Sequence, residues 1–121
     1  MQNKKSRSYA DLIVWQKSKK LVILIYKLTL YFPKEELYGL SSQMRRSAIS
    51  IPSNIAEGSM RGTPKDFKNF LRIALGSGAE LQTQIEIAKE LSFGNKSDYT
   101  SIESELDGII KMLHGLCSSL D

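Results

Sequence analysis

The chain has 121 residues, with 17 Lys and Arg against 13 Asp and Glu, one His and one Cys. That length suits one domain, commonly roughly 100–150 residues, and 41% apolar with 25% charged residues suffices for a buried core. A lone cysteine excludes a disulfide framework and a zinc site of several thiolates. No run approaches the roughly 20 apolar residues of a membrane span, and the basic start leads into no cleavage site of a signal peptide, so a cytoplasmic protein without membrane contact is expected.

Residues 1–8 read as a basic N-terminal arm and residues 9–121 as one domain. Helix 1 is predicted from Leu12 to about Phe32, where Pro33 pushes the preceding residue out of helical geometry. Helix 2 follows the stripe Leu37, Leu40, Met44, Ala48, Ile51 and Ile55. Pro52 lies inside it and is expected to kink it, with Ser50, Ser53 and Asn54 placed to satisfy freed backbone groups. Gly58 reads as a left-handed cap. Thr63-Pro64-Lys65-Asp66 starts helix 3 with a hydroxyl cap, a proline at the first helical position and an acidic first turn. Its stripe is Phe67, Leu71, Ala74, Gly78, Leu81, Ile85 and Ala88; Gly76-Ser77-Gly78 lies mid-helix, where small residues let helices approach. After a break at residues 93–98, helix 4 carries Ile102, Leu106, Ile109, Leu113, Leu116 and Leu120. No alternating strand pattern competes, so the fold predicted is an all-α, antiparallel up-and-down four-helix bundle, kinked at Pro52.

From Leu21 to Phe32, helix 1 is apolar except at Lys27 and Thr29. A bundle core covers only about three of every seven positions on a helix. The surplus, with Ile23, Leu24, Leu30 and Tyr31 as candidates, should meet another subunit, which makes a homo-oligomer the expectation.

Catalytic chemistry finds little footing. His114 and Cys117 sit one turn apart, but two ligands do not make a zinc site. Glu103, Glu105 and Asp107 alternate, so a helix points them in different directions. No Gly-rich phosphate loop occurs. A non-enzyme without metal or cofactor is expected. A polar stripe on helix 2 (Gln43, Ser47, Ser50, Asn54, Glu57), with Arg46 beside it, reads as a structural network against helix 3, with Glu80 pairing to Arg46. Glu57 lies in a last turn, where the helix dipole disfavours a negative charge, so Arg61 or Arg72 should compensate it.

Charge is unevenly spread. Residues 1–79 hold 14 basic and 5 acidic side chains, a net of +9, whereas residues 80–121 hold 3 and 8, a net of −5. Such a split points to nucleic acid or an acidic partner. One basic group comprises Lys4, Lys5, Arg7, Lys17, Lys19 and Lys20; the other comprises Arg61, Lys65, Lys68 and Arg72, the last three at helical spacings beside a helix start that itself favours anions. Lys17, Lys20, Arg61, Lys65, Lys68 and Arg72 are therefore candidate nucleic-acid contacts, without a motif for reading bases.

Ser50-Ile51-Pro52-Ser53-Asn54-Ile55-Ala56-Glu57-Gly58, Ala74-Leu75-Gly76-Ser77 and the run from Ala79 to Ala88 resemble a family of bacterial four-helix-bundle proteins. These are named for reading frames inside intervening sequences of 23S ribosomal RNA. Residues 11–18 are similar to the family's first helix, and the resemblance spans roughly residues 9–118, with Gly78 standing where a larger aliphatic residue is expected. The resemblance implies a ring-shaped homopentamer and no catalytic residues; Arg46, Asn54, Glu57 and Glu80 fall at signature positions of structural character. The family is in turn similar to accessory variability proteins of diversity-generating retroelements, basic pentamers that bind a reverse transcriptase and nucleic acid. Two functions follow as expectations: an oligomeric, RNA-associated scaffold, or an accessory subunit of a reverse transcriptase.

Overall fold

Apolar residues spaced by alternating fours and threes line up on one face of a helix, and each such stripe here is buried against its neighbours. The computed structural model describes Tyr9 and residues 12–121; the basic arm, residues 1–8, lies outside the described residues. The described chain forms helices α1 (Ile13–Thr29), α2 (Leu40–Ser59), α3 (Pro64–Glu90) and α4 (Asp98–Ser119), with a short 3-10 turn at Lys34–Glu36 and no strand among the described residues. Each helix packs against the next and α1 closes on α4, while the diagonal pairs make no close backbone approach. This is the arrangement of an up-and-down bundle.

The core is built from the periodic residues. Val14, Leu21, Ile25 and Leu28 come from α1, and Met44, Ala48, Ile51 and Ile55 from α2. Leu71, Ala74, Leu81, Ile85 and Ala88 of α3 meet Ile102, Leu106, Ile109 and Leu113 of α4. Near the end of α4, Cys117 takes the fully inward position, and Leu116 and Leu120 pack against the core only in part. No helix of the described residues is long and apolar enough to cross a membrane.

The ends of the helices correct several expectations. α1 stops at Thr29, and Tyr31 and Phe32 turn the chain through N–H donation to the Leu28 and Thr29 carbonyls. Leu37 lies outside α2 and is exposed, because the 3-10 turn intervenes. There Glu36 accepts a hydrogen bond from the Leu40 N–H at 3.0 Å. Gly58 is no left-handed cap: it is buried within α2, which runs on to Ser59. A Cβ at Gly58 would lie 2.6 Å from Cβ of Phe70, so glycine is required for the close approach of α2 and α3. The positive φ comes later, at Gly62 (94°). The α3 start matches its expectation, with the Thr63 hydroxyl accepting from the Asp66 N–H at 3.1 Å and Pro64 opening the helix.

α2 stays α-helical on both sides of Pro52, which cannot supply the N–H a helix would direct at the Ala48 carbonyl. Asn54 does serve the local backbone, but its amide donates to the Ser50 carbonyl at 2.8 Å. Gly78 lets Ile110 of α4 approach, since an added Cβ would lie 3.3 Å from its Cγ1, whereas Gly76 faces open space.

Candidate nucleic-acid interface

The up-and-down path brings the first turns of α1 and α3 and the last turns of α4 to one end of the bundle. Leu12, Ile13 and Val14 accordingly share a shallow groove with Met112, Gly115, Leu116 and Ser119. Three elements thus deliver cations to this end: Lys17 from α1, Arg61 from the turn before α3, and Lys65, Lys68 and Arg72 from α3 itself. Lys17, Lys20, Arg61, Lys65 and Arg72 are exposed, and Lys68 is half-buried.

The second basic group does not act as one patch. Arg61 turns toward α2: its Nη2 donates to Oε2 of Glu57 at 2.8 Å, and its guanidinium lies 4.8 Å from the Phe70 ring centre. Of the two candidates to compensate the carboxylate in the last turn of α2, Arg61 is the one that does so. Lys68 and Arg72 face α4 instead. Together with Leu75, His114, Cys117, Ser118 and Asp121 they line a depression of about 440 Å³, in which Lys68 pairs with the Asp121 carboxylate. A cation at the end of α4 also complements the negative pole of that helix dipole.

His114 is the residue that sequence reasoning missed here. Its spacing to Cys117 suggests at most a metal ligand, yet Cys117 is buried, and no group of three or more His, Cys, Asp or Glu among the described residues is placed to hold a metal ion. Only the packing of α4 on α3 brings His114 beside Arg72. What the depression offers is the Arg72 guanidinium, an imidazole and a hydroxyl, donors suited to phosphate oxygens, beside an ammonium that the Asp121 carboxylate already holds.

The polar stripe of α2 is divided as well. Ser77 donates to Ser50 Oγ at 2.7 Å, and the Asn54 amide reaches the same oxygen at 2.9 Å, so these three form the link between α2 and α3. Arg46 and Glu80 line a common depression of about 360 Å³ with Gln43, Ser47, Ser50 and Gln84, but they form no ion pair with each other. The expected Arg46–Glu80 bridge is therefore absent. Arg46 and Glu80 remain exposed, and the buried Oε1 of Gln84 has no hydrogen-bond donor among the described residues.

At the opposite end, Tyr99 donates its hydroxyl to the Phe93 carbonyl at 2.7 Å. Burial, followed by the nearby Glu103 carboxylate, pushes its phenol up to about 12. Lys89 bridges to Glu103 at 3.0 Å, and that hydrogen bond raises its ammonium above the ordinary lysine range.

Of the candidate interface residues on α1 and just beyond its end, Ile23, Leu30 and Tyr31 are exposed, whereas Leu24 packs against the core and is only partly exposed.

Comparison with known proteins agrees with this architecture. A solved structure from Bacteroides thetaiotaomicron, of a protein of unknown function from the S23 ribosomal protein family, is 28% identical and superposes with a TM-score of 0.77, over 87% of this chain and 98% of that one. No curated protein shows a significant match. The family described as 23S rRNA-intervening sequence protein matches residues 10–115, and this chain, four-helix fold and all, belongs to that family.

Proposed function

We propose that the protein is a non-catalytic, self-associating scaffold that binds RNA through the basic end of its bundle. The observation that carries this reading is the depression where Lys68 and Arg72 of α3 meet His114 and Ser118 of α4, with exposed Lys65 and Lys17 at the same end. The family's link to 23S rRNA supports RNA as the nucleic acid. Phosphate contacts of this kind give affinity without base specificity, and they make binding fall with salt as condensed counterions are released. Self-association would repeat the cluster on every copy and convert weak contacts into avidity.

Fluorescence anisotropy of a labelled single-stranded RNA over a salt series tests the reading. The wild type should bind with a steep inverse dependence on salt. Replacing Arg61, Lys65, Lys68 and Arg72 together by Gln should weaken binding and flatten that dependence, by roughly 0.7 in log–log slope for each phosphate left without its cation. Absence of binding at low salt overturns the proposal. Light scattering on a sizing column tests the assembly, with a pentamer of the 13.6 kDa chain expected from the family resemblance.

A further inference from the structure

α3 carries a second stripe besides the one it buries. Ile73, Gly76, Glu80, Thr83 and Ile87, continued by Leu91 just past the helix end, recur at steps of three and four and are all exposed, Ile73 by 51%, Ile87 by 45% and Leu91 by 54%. Such spacing is that of a helix-packing seam. Gly76 leaves the stripe open beside Ile73, since a Cβ there would meet nothing within 4 Å. Glu80 is the one charged residue of α3 on this face between Arg72 and Lys89; Glu86 lies on the other side, in the depression shared with Glu103 and Asp107 of α4. Arg46, across the depression from Glu80, makes no ion pair with it.

The outer face of α1 carries the opposite sign, with its apolar residues more closely spaced about the charge. Ile23 and Leu30 are 49% and 71% exposed, and Lys27 stands between them at helical spacing, with Lys19 and Lys20 one turn earlier. From Ile13 to Lys34 the chain contains no Asp or Glu. Neither Lys27 nor Glu80 takes part in an ion pair among the described residues of the protomer.

We infer that the α1 face of one copy docks on the second seam of α3 in the next copy, with Lys27 set against Glu80. A face-to-itself pairing is disfavoured in both cases, because α1 on α1 opposes lysines and α3 on α3 opposes glutamates. Pairing unlike faces brings an apolar–cation–apolar stripe onto an apolar–anion–apolar one. The contact is then heterologous, so it propagates from copy to copy and closes only as a ring. This inference rests on the self-association proposed above and specifies its surfaces; it does not depend on RNA binding.

Charge reversal tests it. Lys27→Glu and Glu80→Lys should each weaken association by about tenfold, as an attraction gives way to a repulsion at a partly solvated interface. The double variant, in which the signs are exchanged, should recover most of it. Helical circular dichroism and melting temperature, measured alongside, verify that every variant is folded. Sedimentation velocity across a concentration series is the readout. A monomeric wild type overturns both this pairing and the self-association behind it. An oligomeric wild type whose mass ignores both single variants, or whose double variant associates no better than the singles, overturns the pairing alone, and another face or another protein then covers these seams.

Discussion

The hydroxyl of Ser77 donates to the hydroxyl of Ser50 at 2.7 Å, across the seam between α3 and α2. Ser77 is buried, and Ser50 also accepts from the Asn54 amide at 2.9 Å, so one oxygen on α2 gathers donors from two helices. Replacing Ser77 by Ala deletes one donor and leaves the Ser50–Asn54 bond standing. Urea unfolding should show a decrease in stability of about 1 kcal/mol, the ordinary net worth of such a bond. Asn54→Ala should cost more, because the Ser50 carbonyl is deprived of its side-chain donor at the same time.

Two glycines give opposite signs on mutation to alanine. At Gly58 the new Cβ would press to 2.6 Å from Phe70 Cβ and 3.1 Å from Phe67 Cδ1, side chains of α3. Overpacking there should destabilise the chain by about 1–3 kcal/mol. At Gly108, inside α4, a Cβ meets nothing within 4 Å, so removing glycine's backbone freedom should stabilise by roughly 0.5–1 kcal/mol. Thermal melts of the two variants check both signs, and a stabilised Gly58→Ala would contradict the close approach.

These cases show how far the sequence is legible. The four helices follow from stripes such as Leu81, Ile85 and Ala88, because a helix face and a core face coincide wherever burial is one-sided. The Thr63 cap is legible for the same local reason: donor, acceptor and proline lie within four residues. Gly58 is misread because a cap and a close approach both demand glycine, and only the position of Phe70 on the next helix separates them. The basic cluster is read as one patch for an analogous reason. Spacing along α3 places Lys65, Lys68 and Arg72 near one another, but it does not show that Asp121 and His114, about 50 residues away in sequence, border Lys68 and Arg72. Nor does spacing tell that Arg46 and Glu80 stay apart from each other.

Alkaline pH should destabilise the fold through Tyr99. Its phenol is raised from 10.0 to about 12, so the folded chain favours the neutral form. The stability this contributes is fully present below the unfolded value and disappears as pH rises through about 12. Subtracting the tyrosinate absorbance titration of Tyr99→Phe from that of the wild type should leave a single step at about 12. A difference step near 10.0 would show that the ring is not held in the buried hydrogen bond to Phe93.

The last prediction separates the cations of the proposed RNA surface by what already holds them. Arg61 is engaged by Glu57 and by the Phe70 ring, and Lys68 by Asp121, whereas Arg72 makes no ion pair among the described residues. A cation that must first leave a carboxylate gains less from a phosphate, since the two anions compete for it. Arg72→Gln should therefore weaken RNA binding more than Arg61→Gln, by a few-fold at moderate salt. Asp121→Asn should act in the other direction. It removes the carboxylate bound to Lys68 while keeping the shape of the side chain, which releases an ammonium into the depression and takes one negative charge from it. Affinity should rise by about threefold to tenfold, in line with one exposed ion pair exchanged for a phosphate contact, and the salt slope should steepen by up to about 0.7. Anisotropy titrations of the three variants at matched ionic strength provide the comparison. If Asp121→Asn binds no better than the wild type, while Arg72→Gln and Arg61→Gln lower affinity equally, the depression between α3 and α4 is not where RNA is held.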